Sequence, residues 1–123
     1  MNADRVDVAI PAFNEESSIS VTIDSLLSQD YPGGVRVFVC ANGCTDNTAR
    51  VVEDYRRQGA PVFLDVTAKR GKPNAWNRLV RTTDSELLCF CDADVFVPSY
   101  AVSHLATQLR THRQLSAIGA RMR

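Results

Sequence analysis

Two aspartates separated by one residue, Asp92 and Asp94, follow directly after an apolar run that reads L-L-C-F-C. Carboxylates this close repel each other unless positive charge lies between them, and a hard divalent cation supplies that charge. Mg²⁺ or Mn²⁺ is the expected ion, and either keeps open coordination positions that a diphosphate can fill. A solvated surface turn is the alternative interpretation of the triplet. Its place at the end of a strand favours the metal site.

Two further polar segments follow predicted strands, Pro11 to Glu15 and Ala41 to Asp46, and a basic cluster contains Lys69, Arg70 and Lys72. Ligands of open α/β sheets bind outside the carboxyl ends of the strands, near the point where the strand order reverses. The phosphate-binding patterns G-x-G-x-x-G and G-x-x-x-x-G-K-[ST] are both absent. This absence argues against a dinucleotide enzyme or a P-loop nucleotidase, so any phosphate must be held in another way.

Alternating strands and helices are predicted to position these residues. Apolar runs predict strands at 6–10, 35–41, 62–66 and 86–91, and a further strand starting within 115–123. Asn14 or Ser17 is expected to cap the first helix, Thr45 with Asp46 to start the second, and Pro98 to open the fourth. The inward-facing helix residues are expected to be Ile19, Ile23, Leu26, Leu27, Ala49, Val52, Tyr55, Ala75, Trp76, Leu79, Val80, Val102, Leu105 and Leu109. This alternation indicates an α/β fold with a mostly parallel sheet in the order 3-2-1-4, flanked by helices in a Rossmann-like arrangement.

Length and charge exclude several classes of protein. At 123 residues and 45% hydrophobic content, the chain is expected to form one domain over residues 1–123. The formal net charge is zero, so no global field attracts nucleic acid or an anionic membrane. No stretch approaches the roughly 18 apolar residues of a membrane span.

Four cysteines, at positions 40, 44, 89 and 91, raise the alternatives of a disulfide and a zinc site. Cys89 and Cys91 alternate on one strand, where neighbours are poorly placed to bridge each other. In the expected sheet order a whole strand separates the two pairs. Free thiols in a reducing cytosol, and so a cytoplasmic protein, are the favoured interpretation.

Four segments in order resemble the family-2 glycosyltransferases, which have the GT-A fold. V-A-I-P-A-F-N-E-E resembles the first strand and nucleotide loop of that family, and V-F-V-C-A-N-G-C-T-D-N-T resembles its second strand. R-G-K-P-N-A-W-N is similar to a G-K-x-x-A-x-N helix start, and L-L-C-F-C-D-A-D to the metal triplet. The resemblance covers nearly the whole chain and implies a nucleoside-diphosphate sugar as ligand, with a UDP-sugar weakly favoured.

The resemblance also implies roles for single residues. It implies a base and ribose pocket lined by Pro11, Ala12 and Phe13, with Asn14 and Glu15 beside it. It implies that Asp92 approaches the ribose or the metal, that Asp94 is the principal metal ligand, and that Lys72, with Arg70, lies near the diphosphate. Core packing is the alternative for Phe13, and a solvated charge is the alternative for Lys72. Trp76 is expected in the core, and His104 and His112 on the surface.

One departure from the family concerns the base. Family members commonly carry Asp-Asp after the second strand, where the first aspartate reads the nucleobase, whereas this chain has Ala41 and Asn42. The Asn42 amide is able to read the base from the neighbouring position, or it is only a turn residue. Selectivity for uracil is therefore expected to be weak.

A second departure concerns catalysis. Inverting members use a carboxylate downstream of the metal triplet as the base, yet no Asp or Glu occurs from Val95 to Arg123. No catalytic residue is therefore assigned, and the acceptor-binding half is expected to be absent. The first hypothesis is a truncated, donor-binding half of a metal-dependent inverting glycosyltransferase that is inactive alone. It is then expected to be completed by a missing C-terminal part or to form a homo-oligomer through an unpaired strand edge at Leu115 to Ile118. The alternative is a non-catalytic nucleotide-sugar-binding or assembly module.

Overall fold

The computed structural model describes residues 5–111, in which strands and helices alternate. The strands are β1 (Val6–Ala12), β2 (Val35–Asn42), β3 (Val62–Thr67) and β4 (Leu87–Phe90), and the helices are α1 (Ile19–Leu27), α2 (Thr48–Arg57), α3 (Lys72–Thr82) and α4 (Ala101–Thr111). The strands form one parallel sheet in the order β3-β2-β1-β4. The predicted α/β class and strand order are confirmed. No helix within 5–111 has the length and apolar character needed to cross a bilayer.

The two faces of the sheet have separate apolar cores. On one face of the sheet, side chains such as those of Ile10 and Val39 pack against α1, α2 and α4. The other face packs Ala9 and Phe38 against α3. Because helices cover both faces of the sheet, β1 is buried along its whole length, and it appears in the sequence as an apolar run interrupted only by Asp7.

Two helices bury narrower faces than the periodicity predicts. Val80 is 51% exposed, so its predicted inward position is wrong: α3 covers one face of the sheet with Ala75 and Leu79, and Val80 is turned away from it. On α4, Ala106 is buried, whereas the predicted Leu105 and Leu109 are only partly buried.

The helix starts differ from the predicted caps. Helix α1 begins after Ser18, which makes no side-chain cap bond, so neither Asn14 nor Ser17 caps it. At α2 the N-cap position is Asn47, although the Asp46 carboxylate accepts a hydrogen bond from the Thr48 N–H at 3.0 Å. The strand predicted within 115–123 and His112 lie outside the described residues.

A buried charge network lies at the amino ends of the strands. Asp7 is fully buried, and its carboxylate accepts hydrogen bonds from Arg36 Nε and Nη2, both at 2.9 Å. The backbone N–H groups of Asp84 and Ser85 donate to the same carboxylate at 3.2 and 3.3 Å. Asp7 therefore joins β1, β2 and the turn before β4 at the edge opposite the candidate site.

Candidate functional site

A cleft of about 410 Å³ opens at the carboxyl ends of β1, β2 and β4. Strand β1 pairs with β2 on one side and with β4 on the other, so the cleft lies where the strand order reverses. Its volume falls in the range of small-molecule sites, about 300 to 1,000 Å³. The residues that line it are Pro11, Phe13, Glu15, Asn42, Arg70, Gly71, Lys72, Asp92, Ala93 and Asp94.

Two of the predicted site residues, Ala12 and Asn14, do not line the cleft. Ala12 is fully buried in the apolar core. Asn14 has a φ of 51°, in the left-handed region that asparagine tolerates better than most residues. Its Oδ1 accepts hydrogen bonds from the Thr45 and Asp46 N–H groups at 2.8 and 3.3 Å. These residues therefore support the cleft from behind by joining the loops that follow β1 and β2.

Asn42 is buried and ties three segments together at the floor of the cleft. Its Nδ2 donates to the Ala12 carbonyl at 3.0 Å, and its Oδ1 accepts from the Gly71 N–H at 3.0 Å. Ala41 beside it is fully buried and has no polar side chain. The end of β2 therefore offers a ligand little hydrogen-bonding capacity beyond the second lone pair of Asn42 Oδ1.

Arg70 lies on the aromatic face of Phe13. The guanidinium carbon is 4.0 Å from the ring centroid, which is the geometry of a cation–π contact. Gly43 lies under the arginine, because a Cβ placed there would approach Arg70 Cβ to 2.9 Å and Cα to 3.2 Å. The sequence predicts Arg70 near the diphosphate, whereas the structure places it against the residue predicted to line the base pocket.

Replacing Gly43 with alanine is expected to weaken nucleotide binding by about three- to tenfold, as expected when one stacking or cation contact is displaced. The new Cβ would push Arg70 off Phe13, and the backbone φ of +63° adds strain of about 1 to 2 kcal/mol. Gly59→Ala is the matched control, since Gly59 also has a positive φ, of +84°, but nothing within 4 Å of the added Cβ. Calorimetric titration with UDP and thermal melts of both variants would separate strain from the displaced contact. Equal UDP affinity in the two variants would contradict the role of Arg70.

The carboxylates of Asp92 and Asp94 are both exposed in the cleft, and the buried Ala93 between them fixes their positions. The Lys72 ammonium donates to Asp92 Oδ1 at 3.1 Å. Among residues 5–111, Asp94 makes no hydrogen bond or ion pair, and no group of three or more His, Cys, Asp or Glu is arranged to hold a metal ion. Two carboxylates suit a Mg²⁺ or Mn²⁺ ion that keeps several waters and takes its remaining ligands from phosphate.

Polar side chains on α1 and just after its end hold the segment that follows the aspartates. Thr22 Oγ1 donates to the Val95 carbonyl at 2.7 Å and accepts from the Val95 N–H at 3.1 Å. Ser25 Oγ accepts from the Val97 N–H at 3.0 Å, and Gln29 Nε2 donates to the Val97 and Pro98 carbonyls. These residues were not predicted from the sequence. The available signal was the polar pair Thr22 and Ser25, three residues apart on the face of α1 that is otherwise apolar and buried.

The four cysteines are free thiols. Strand β1 lies between β2, which contains Cys40, and β4, which contains Cys89, as the predicted sheet order requires. Cys89 and Cys91 also pack on the opposite face of the sheet from Cys40. Burial raises the pKa of Cys89 to about 11, and burial together with the Asp92 charge raises that of Cys91 to about 12. With these pKa values both thiols stay protonated near neutral pH, which makes them poor nucleophiles.

Two residues with predicted positions lie outside the cleft: Trp76 is less buried than the predicted core position, and His104 is on the surface as predicted. Trp76 is half-buried and packs edge-on against Phe90, with the ring centroids 4.3 Å apart. His104 is exposed on α4. Neither residue lines the cleft.

Several known proteins are similar to this chain in sequence and in fold. An N-acetylglucosaminyltransferase of Azorhizobium caulinodans is 32% identical over 109 residues, which cover 86% of this chain and 28% of the relative. The crystal structure of Staphylococcus aureus TarS 1-349 in complex with UDP superposes with a TM-score of 0.78 at 25% identity, covering 89% of this chain and 33% of TarS 1-349. The mannosyltransferase PcManGT from Pyrobaculum calidifontis, in complex with GDP-Man and Mn²⁺, superposes with a TM-score of 0.75 at 29% identity, covering 88% and 32%.

The chain thus spans about a third or less of the length of these relatives. Its match to the family described as Glycosyl transferase family 2 runs over residues 7–123, which is nearly all of the sequence. The four motifs, the strand order and the cleft at the switch point agree with that match. This chain belongs to glycosyl transferase family 2.

Proposed function

We propose that this chain binds the nucleoside-diphosphate end of a sugar donor for a metal-dependent, inverting glycosyl transfer. One observation carries the proposal: the Asp92 and Asp94 carboxylates, the Lys72 ammonium and the Phe13 ring line a single cleft at the switch point of the sheet. A nucleoside diphosphate needs an aromatic surface for its base and cations for its phosphates. The solved structures of TarS with UDP and of PcManGT with GDP-Man and Mn²⁺ support the same ligand class.

Different residues of the cleft would contact different parts of the ligand. Arg70 and Phe13 form a flat, cationic surface on which a base can stack. Lys72 begins α3, so phosphate oxygens at this end of the cleft meet both its ammonium and the positive end of the helix dipole. Asp92 and Asp94 would hold Mg²⁺ or Mn²⁺, which supplies, when bound, neutralising charge for the departing diphosphate.

Transfer requires more than donor binding. An acceptor hydroxyl attacks the anomeric carbon as the bond to the diphosphate breaks, and its proton must pass to a base. Residues 95–123 contain no carboxylate to take that proton. A second candidate function is a binding or assembly module that holds the donor without transferring it. Addition of an acceptor to the donor complex, with release of free UDP as the measurement, distinguishes transfer from binding alone.

Base selectivity is expected to be weak, with UDP, GDP, CDP and ADP binding within about tenfold of one another, because a single missing hydrogen bond costs roughly 1 kcal/mol. The buried Ala41 offers no hydrogen bond, and the Asn42 donors are engaged with backbone carbonyls. Calorimetric titration of the four diphosphates in Mn²⁺ and in chelator tests both the ranking and the metal dependence. Equal affinities in Mn²⁺ and chelator would remove the metal from the proposal. A preference for UDP beyond a hundredfold would show that the base is read by another group.

The reducing cytosol is the proposed compartment. Four free thiols, Cys91 among them, support a reducing environment.

A further inference from the structure

The two carboxylates of the D-A-D triplet are not equivalent. Asp92 accepts an ion-pair hydrogen bond from Lys72 Nζ at 3.1 Å, whereas Asp94 makes no hydrogen bond or ion pair within residues 5–111. The side chains of Lys72 and Asp92 are 60% and 57% exposed, so the pair is open to solvent and to ligands. The triplet therefore has one carboxylate held by a cation of the chain and one that is available.

The Lys72 ammonium cannot pair with Asp92 and with a bound phosphate at the same time when a metal also binds Asp92. A divalent cation held by Asp92 and Asp94 would bring two further positive charges near Lys72, which would be repelled by them. Lysine is a point charge on a flexible four-carbon stem, so it can swing to a new anionic partner without movement of the backbone. A diphosphate entering the cleft offers that partner, because Lys72 lines the same cleft.

We infer that Lys72 competes with the divalent metal for Asp92: its ammonium holds Asp92 until a diphosphate binds and then moves to the phosphate, so that nucleotide and metal binding favour each other. The inference rests on the proposed donor and metal site and adds the residue through which the two ligands are coupled. Lys72 is in this respect a positioning residue, since it acts on the metal through Asp92. Coupling between two ligands is reciprocal, so Mn²⁺ should raise nucleotide affinity by the factor by which nucleotide raises Mn²⁺ affinity.

The test measures Mn²⁺ binding to the wild type and to Lys72→Met, with and without UDP. The electron paramagnetic resonance signal of free Mn²⁺ reports the amount that is not bound. Without UDP, Lys72→Met should bind Mn²⁺ about two- to fivefold more tightly, the range set by an exposed ion pair. With Mn²⁺ present, the same variant should bind UDP about tenfold less tightly, because a charge-assisted contact to phosphate is lost. These opposite signs separate competition from a structural role, which would weaken both ligands.

Two further variants sharpen the result. Lys69→Met removes the same charge from the loop just before α3, at a position that does not line the cleft, and should leave both affinities unchanged. Lys72→Arg keeps the charge and should restore the weaker Mn²⁺ binding of the wild type. Mn²⁺ affinity in Lys72→Met that is equal to or lower than that of the wild type would overturn the competition while leaving the metal site intact. Failure of all the proteins to bind Mn²⁺ would overturn the proposed function and, with it, this inference.

Discussion

Replacing Asp94 with asparagine is expected to weaken Mn²⁺-dependent binding of a nucleoside diphosphate by about 1 to 3 kcal/mol, the range for losing a charge-assisted contact. Asp94 is exposed in the cleft and has no hydrogen-bonding or ion-pair partner among residues 5–111 that would compensate its charge. Its whole charge is therefore available to a cation. The measurement is calorimetric titration with UDP in Mn²⁺.

The Asp94 prediction has two internal controls. Asp54→Asn removes an exposed carboxylate from α2, outside the cleft, and should leave UDP affinity unchanged. In chelator, Asp94→Asn should bind UDP no worse than the wild type, because a carboxylate facing a bare diphosphate only repels it. Loss of affinity that is the same with and without Mn²⁺ would show that Asp94 supports the fold of the cleft and does not hold a metal.

Replacing Asp7 with asparagine is expected to lower the free energy of unfolding by about 3 kcal/mol, the lower end of the range for breaking a buried ion pair. The Asp7 carboxylate is fully buried, and its loss leaves Arg36 without its main partner. The lower end applies because Arg36 keeps a second ion pair with Asp84. Urea denaturation at neutral pH measures the loss, and Asp84→Asn is the matched control, since Asp84 is 76% exposed and should cost under about 1 kcal/mol.

The Asp7 effect should depend on pH. Burial raises the pKa of Asp7, but hydrogen bonds from Arg36 and Ser85 outweigh burial and place the pKa below its ordinary value. A carboxyl group whose folded pKa is depressed stabilises the fold above its unfolded pKa, about 3.9, and loses that contribution as the pH falls through the folded pKa. The difference between wild type and Asp7→Asn should therefore be constant near neutral pH and shrink in acid below about pH 4. A difference that grows on acidification would contradict the ionised, hydrogen-bonded carboxylate.

The sequence alone determined the sheet and the place of the site. The apolar runs that became β1 and β2 are buried on both faces, so they are recognisable without any long-range information. Parallel strands joined by helices bring the residues after β1, β2 and β4 to one edge, which is why Phe13, Asn42 and Asp92 were predicted to lie together. Helical periodicity was less successful at the edges of the buried helix faces. Val80 was predicted to face inward because it is apolar, but its side chain points away from the sheet.

Only the tertiary structure decided what each side chain of the site contacts. Arg70 and Lys72 are two residues apart and chemically alike, yet one lies on Phe13 and the other on Asp92. Asn42 could have read a base, but its amide is engaged by backbone groups from β1 and from the loop before α3. A sequence specifies which residues reach a strand end through short-range periodicity. The partners of these residues depend on side-chain direction and on the distance between segments that are 20 or more residues apart in the sequence. Packing sets that distance only when the whole sheet has formed.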